Sequence, residues 1–151
     1  MANTQAMCTS FKGELLTATH NFGTAPIRAA STADTFKAAL YLASATIDAS
    51  TTAYTATGEV SGTNYTAGGV TVLNSVAPTT SGTTGYWTPS SSIVYTNVTL
   101  TTAFDCVLLY NSTQSNKAVS VHTFGSQTIT AGTFTLTMPA NTSTTALIRL
   151  A

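Results

Sequence analysis

The sequence predicts a mainly β protein: an antiparallel β-sandwich of jelly-roll type, with a short N-terminal helix or arm. From Ile93 onward, apolar residues alternate with Thr and other polar residues in short runs separated by turn residues. This alternation is typical of half-buried strands. No helical periodicity alternates with these runs, which argues against a parallel α/β sheet. A closed β-barrel is the second architecture that the same pattern allows.

The N-terminal segment, residues 1–30, is predicted to be an arm or a short helix, and residues 31–151 a single β-sandwich domain. Met7, Phe11 and Leu15 recur at intervals of four residues, which places them on one face of a helix. Their combined apolar area is larger than a free tail should expose. The arm is therefore expected to pack, either on its own sandwich or on a neighbouring subunit.

Strands are predicted wherever apolar residues alternate or form short runs. These segments are 34–47, 70–73, 93–100, 104–110, 118–124, 133–138 and 146–150. A long connection rich in Ser, Thr and Gly covers residues 48–69, and a second loop covers residues 78–89. Loops longer than about 12–15 residues in compact domains tend to be functional. The first connection is therefore expected to be functional or bound to a partner.

The clearest alternation in the chain lies in its last third. Phe134, Leu136 and Met138 alternate with threonines and should face one core. Neighbouring strands are expected to add Leu108, Tyr110, Val119 or Val121 to this core.

Charge is sparse, because charged residues make up only 7% of the chain, with five basic and five acidic residues. A typical domain carries about 25%. Polarity comes instead from 34 Thr and 15 Ser. Such a surface opposes association only weakly, so we expect a homo-oligomer or a bound subunit. The scattered cations argue against nucleic acid as a partner. No apolar run approaches the roughly 20 residues of a membrane span.

Side chains with catalytic or metal-binding chemistry are few and dispersed. His20 and His122 lack a cluster of further ligands at metal spacing, so no metal or cofactor is expected. A Ser–His–acid triad could combine His122 and Asp105 with a serine, but the Gly-x-Ser-x-Gly elbow is missing. We therefore expect no catalytic residues and no enzyme activity. Cys8 and Cys106 lie in apolar strings and are expected to be buried free thiols.

Two segments supply the candidates for protein contact. Tyr86 and Trp87 lie in a loop of Gly, Ser and Thr, and aromatic residues are enriched at interface hot spots. The same pair could instead fold onto its own sandwich, or stack on a carbohydrate. The N-terminal arm supplies the other apolar candidates. The predicted contact residues are Met7, Phe11, Leu15, Tyr86 and Trp87.

A further signal lies in the segments Asp34–Tyr54 and Thr57–Gly69, and it is extended by Leu109–Ser112, Asn116–Val119 and Ala131–Phe134. Together these segments resemble small structural proteins of tailed bacteriophages. The resemblance implies a virion structural protein, specifically a capsid decoration (cement) protein that binds between capsomers and stabilises the head. The implied partners are the major capsid protein and other virion proteins.

Two alternatives to decoration stay open at this point. A neck or tail structural component belongs to the same class, whereas a carbohydrate- or receptor-binding tip module belongs to another. The first residues lack the basic start and apolar core of a secretory signal. The chain is therefore expected to be made in the host cytoplasm and to end in the virion.

Overall fold

The computed structural model describes residues 3–16, 19–20, 22 and 33–151 and confirms a mainly β fold with two antiparallel sheets. The first sheet has the strand order β1-β7-β6-β2-β3, and the second has the order β4-β5-β8. The elements in chain order are β1 (Ala6–Met7), α1 (Thr9–Leu16), β2 (Phe36–Leu42), β3 (Val70–Val72), β4 (Thr79–Ser81), β5 (Thr84–Trp87), β6 (Ile93–Asn111), β7 (Lys117–Leu136) and β8 (Ile148–Leu150).

β6 and β7 form one hairpin whose strands are 19 and 20 residues long. The prediction that each of these long strands would be two shorter strands was wrong. The residues expected to make turns instead make β-bulges, where the pairing register shifts repeatedly between Tyr95 and Cys106. Asn97 and Ala131 adopt left-handed backbone conformations within this region, with φ of 52° and 47°. Bulges bend a strand without ending it, so the hairpin continues through them.

The bulges fold the hairpin back over its own sheet. Gln127 is the β7 residue opposite Phe104, and it lies seven residues before Phe134. Seven extended residues span about 23 Å, yet the Phe104 and Phe134 ring centroids are only 5.2 Å apart. The outer part of the hairpin, Ile93–Leu100 with Ile129–Leu136, therefore forms a layer over the part that pairs with β2. We call this outer part the distal half.

A short hairpin occupies the segment that was predicted to be a loop. β4 and β5 pair through a two-residue turn in which Gly82 has a φ of 58°. A glycine at the first central position is typical of such tight turns. β5 then pairs with the C-terminal strand, so that Trp87 lies opposite Ile148. Strands of three or four residues made mostly of Thr, Ser and Gly show too little alternation to be distinguished from a loop.

The N-terminal segment packs on its own chain. Met7 belongs to β1 and pairs with Ser120, so it does not continue the helix face that contains Phe11. Cys8 and Phe11 are fully buried in the common core. The predicted domain boundary at residue 30 lies outside the described residues. None of the described residues forms a helix with the length and apolarity of a membrane span.

The connection between β2 and β3 lies against the first sheet. A Cβ atom at Gly69 would be 1.7 Å from the carbonyl oxygen of Ala38, and Gly69 also has a φ of 69°. A Cβ atom at Gly62 would be 1.9 Å from the carbonyl oxygen of Thr99. Only glycine fits such close backbone approaches. This connection is therefore a packed layer of the protein.

Candidate protein-contact site

α1 and the second sheet line an apolar pocket of about 230 Å³. Four of the five predicted contact residues contribute to its wall, namely Phe11, Leu15, Tyr86 and Trp87. Among the residues that the structure describes, no charged residue lines it, and its other large apolar members are Phe22, Ile148 and Leu150. We call this depression the α1 pocket. The fold thus joins residues that the sequence nominated from two distant segments.

The floor of the α1 pocket consists of core residues. Trp87 is 2% exposed, its Nε1 donates to the carbonyl oxygen of Val76 at 2.8 Å, and its ring lies 4.7 Å from that of Phe22. Phe11 is fully buried. Phe11 and Trp87 are therefore core residues of this chain. Thr-rich strands supply few large apolar side chains, and these two aromatic residues fill the core in their place.

The rim of the α1 pocket is where another protein could make contact. Leu15 and Tyr86 are half-buried, and Leu150 in the terminal strand is 44% exposed. Sequence analysis did not nominate Leu150. The sequence pattern that could have indicated Leu150 is the C-terminal run Leu147-Ile148-Arg149-Leu150, in which three residues of four are apolar. In the structure, Ile148 is buried and Leu150 is exposed. Met7, the fifth candidate, lies away from this pocket.

A second cavity, of about 370 Å³, lies between the first sheet and the distal half; we call it the hairpin cavity. Phe134, Leu136 and Met138 line it together, as their alternation predicted, but they stay half-buried. Val107 and Leu109 line the opposite wall. Leu108, Tyr110, Val119 and Val121 belong to the buried core cluster against which Phe134, Leu136 and Met138 pack, as predicted.

His122 lines the hairpin cavity, and its side chain is uncharged at neutral pH. Its Nε2 is 2.9 Å from Oγ of Ser120, and burial lowers the pKa of His122 to about 4. Asp105, the acid of the hypothetical triad, accepts a hydrogen bond from Asn3 Nδ2 at 2.5 Å. Among the described residues, no carboxylate hydrogen-bonds to the imidazole of His122. A base of such low pKa is also a poor proton acceptor in catalysis.

His20, the other histidine, belongs to a buried polar cluster. Nδ2 of Asn111 donates to Oδ2 of Asp34 at 2.8 Å and lies 3.1 Å from Nδ1 of His20. The His20 ring also packs edge-on against Phe11 at 4.8 Å. This cluster joins the N-terminal segment to the ends of β2 and β6. In the part of the chain that is described, no group of three or more His, Cys, Asp or Glu could hold a metal ion.

Five of the six tyrosines surround the buried carboxylate of Glu59, and we call this group the tyrosine cluster. Glu59 accepts hydrogen bonds from the hydroxyls of Tyr54 and Tyr65, at 2.6 and 2.7 Å, and from the amide of Gly68 at 2.7 Å. The remaining members are Tyr41, Tyr95 and Tyr110, whose hydroxyls donate to the backbone carbonyls of Thr55, Ala38 and Gly68.

The tyrosine cluster is kept protonated by its surroundings. Burial, followed by the hydrogen bond to Glu59, raises the pKa of Tyr54 to about 12. Burial, followed by the charge of Glu59, raises the pKa of Tyr110 to about 12. The neutral hydroxyls can therefore act as donors to carbonyl and carboxylate oxygens across the whole physiological range. The cluster holds the 43–69 connection on the sheet.

Both cysteines are buried thiols that form no disulfide, as predicted. Burial, together with the charge of Asp105, raises the pKa of the Cys106 thiol to about 12. Because the thiolate is the reactive form, we expect no labelling by Ellman's reagent at pH 8 in the folded protein. Two thiols per chain should react in 6 M guanidinium chloride. Stoichiometric labelling of the native protein within minutes would contradict this burial.

No family model, curated protein or solved structure matches this chain. What the chain can do is therefore argued from its own surfaces. In the described residues the two outstanding features are the α1 pocket, with its exposed rim, and the half-open hairpin cavity.

Proposed function

We propose that this chain is a bacteriophage virion structural protein, a capsid decoration (cement) subunit that stabilises the head by binding between capsomers. Its partner is the major capsid protein, and its location is the virion after assembly in the host cytoplasm. The observation that carries the proposal is the α1 pocket, a depression whose described lining is apolar and uncharged and whose rim exposes Leu150. Catalysis has no part in this function.

The α1 pocket suits a large apolar side chain from the capsid surface. Leu15, Tyr86 and Leu150 would close over that side chain while Trp87 supplies the floor. Burying one Leu or Phe side chain contributes about 1.5–3 kcal/mol. A decoration protein repeats such a contact many times over a shell, so a modest contact at each site suffices.

The sparse charge of the chain supports a structural role. The formal net charge is zero, and no charged residue lies between Lys117 and Arg149. Hydroxyl groups can be buried with fewer penalties than ammonium or carboxylate groups. The jelly-roll type of sandwich belongs to the same proposal. It is supported by the hairpin that folds back over its own sheet to make two layers.

The test measures binding to empty shells of the major capsid protein that lack this subunit. Leu150→Glu places a charge on the pocket rim and should weaken co-sedimentation with shells at least tenfold, because the carboxylate would be buried on binding. Leu73→Glu is the matched control, since Leu73 is 57% exposed and does not line the pocket. It should bind as the unmodified protein does.

Three results would overturn parts of this proposal. If both variants lose binding equally, or if neither loses it, the α1 pocket is not part of the contact. If the unmodified chain does not bind shells but does bind isolated necks or tails, the protein is a neck or tail component instead. Absence of the chain from purified virions by mass spectrometry ends the structural proposal.

A further inference from the structure

The hairpin cavity is larger than a contact with one protein side chain requires. Its volume is about 370 Å³. A water molecule, which is close in size to a methylene group, takes up about 30 Å³, so the cavity has room for a chain of about twelve carbon atoms. No single amino-acid side chain is that long. A cavity of this size is typical of sites for small organic molecules.

The walls of the hairpin cavity suit an apolar chain. Val107 and Leu109 of the first sheet form one wall, and Phe134 and Leu136 of the distal half belong to the other. Phe134 and Leu136 are only half-buried. An alkyl chain between the walls would remove their remaining apolar surface from water. Each methylene group buried in this way should raise the affinity about twofold to fourfold.

A polar groove of about 250 Å³ adjoins the hairpin cavity. It lies between β1, β7 and β8, and Gln5, His122 and Leu147 line both spaces. Among the described residues, Arg149 is the one charged side chain that lines the groove, and we call it the Arg149 groove. Because His122 is neutral at physiological pH, the positive charge at this junction is that of Arg149.

The Arg149 groove offers hydrogen-bond donors to an anion. Nη1 of Arg149 donates to the carbonyl oxygen of Thr144 at 2.7 Å, which holds the guanidinium beside the groove. In the part of the chain that is described, Nε and Nη2 of Arg149 have no hydrogen-bond partner, and no carboxylate pairs with the guanidinium. The side-chain oxygen of Gln5 accepts from Thr123 at 3.4 Å, which leaves its amide group as a donor. Guanidinium and amide donors suit the two oxygens of a carboxylate.

We propose that the hairpin cavity binds a linear fatty acid of about ten to twelve carbon atoms, with its alkyl chain between the two walls and its carboxylate in the Arg149 groove. The apolar walls disfavour a polar body such as a sugar, and Arg149 disfavours a cationic head group. The α1 pocket has no such cation among its described lining residues and offers the carboxylate no partner. This binding is independent of the proposed capsid contact.

Calorimetric titration with fatty acids below their micelle concentrations tests the head group and the chain separately. Affinity should rise along the series hexanoate, octanoate and decanoate, and decanol should bind about fivefold more weakly than decanoate. Arg149→Gln should abolish the difference between decanoate and decanol. Lys117→Gln is the matched control, because it removes the same charge from a residue that lines neither space. It should keep that difference.

A second pair of variants tests the cavity. Val107→Phe fills part of the space between the walls and should weaken decanoate binding at least tenfold. Val94→Phe is the matched control, since Val94 is 42% exposed and does not line the cavity. Circular dichroism would verify that both remain folded. If Val107→Phe does not fold, NMR spectra of the unmodified protein take its place. Decanoate should then shift the ring-proton signals of His122 and leave those of His20, in its separate cluster, unchanged.

Three results would overturn the fatty-acid site. The first is that decanoate does not bind, and the second is that Arg149→Gln keeps the preference for decanoate over decanol. The third is that Leu150→Glu abolishes decanoate binding while Val107→Phe does not, which would place the acid in the α1 pocket. Capsid binding is measured with shells and without fatty acid, so it can hold or fail independently of each result.

Discussion

Replacement of Glu59 by alanine is expected to lower the free energy of unfolding by about 3–5 kcal/mol. The carboxylate accepts from the hydroxyls of Tyr54 and Tyr65 and from the amide of Gly68. Its removal leaves three donors of a buried or half-buried cluster without their acceptor. Urea denaturation followed by the fluorescence of Trp87, the single tryptophan, measures the change.

Graded variants separate the hydrogen bonds from the charge. Tyr65→Phe removes one donor and should reduce stability by about 1–2 kcal/mol. Glu59→Gln keeps one acceptor oxygen and should fall between Tyr65→Phe and Glu59→Ala. Asp48→Ala is the control, because that carboxylate is solvated and bonds only to nearby Ser50 among the contacts described. A loss below about 1 kcal/mol for Glu59→Ala would mean that the cluster does not hold the connection.

Acid should destabilise the protein through His122. Burial holds its pKa at about 4 in the folded chain, compared with 6.5 for the model side chain. Between these two values the unfolded chain binds the proton and the folded chain does not, so stability decreases as the pH falls. The slope approaches about 1.4 kcal/mol per pH unit. The loss from pH 6.5 to 4 is expected to reach about 3 kcal/mol.

The variant His122→Gln isolates this contribution, since glutamine can still hydrogen-bond to Ser120 but does not titrate. Its unfolding free energy should depend less steeply on pH between 4 and 6.5 than that of the unmodified protein. Arg149 lines a cavity with His122 but stays charged throughout this range. Parallel pH profiles for the two proteins would show that His122 is not the group responsible.

The β content was predictable because alternation is a local property of the sequence. The architecture was not predictable, because turns and β-bulges favour the same residue types. Residues 101–103 were left between two predicted strands and Gly125 was interpreted as a turn, yet the strands continue through both. Each bulge shifts the pairing register, so the face of a residue beyond it does not follow from alternation alone. Phe134 shares the hairpin cavity with Val107 and Leu109.

The sequence indicated several residues of the candidate site but not how deeply each of them is buried. Large apolar side chains in a Thr-rich chain were correctly noticed as exceptional. Whether each lies on the floor or the rim depends on tertiary packing, and so Phe11 and Trp87 proved to be core residues while Leu150 was overlooked. Sequence analysis did not identify Glu59 as a central residue, for a related reason. The tyrosines that surround it come from positions as distant as Tyr41 and Tyr110, which no local pattern connects.

The folded-back hairpin determines how the molecule responds to mechanical load. β6 and β7 each run through both layers, so the layers are joined by continuous covalent chain rather than by side-chain packing alone. A pull on one layer is transmitted to the other through the backbone as well as through side-chain packing. In the proposed decoration role, the body between the contact points would therefore act as a stiff clamp. Any yielding would have to begin at its attachments.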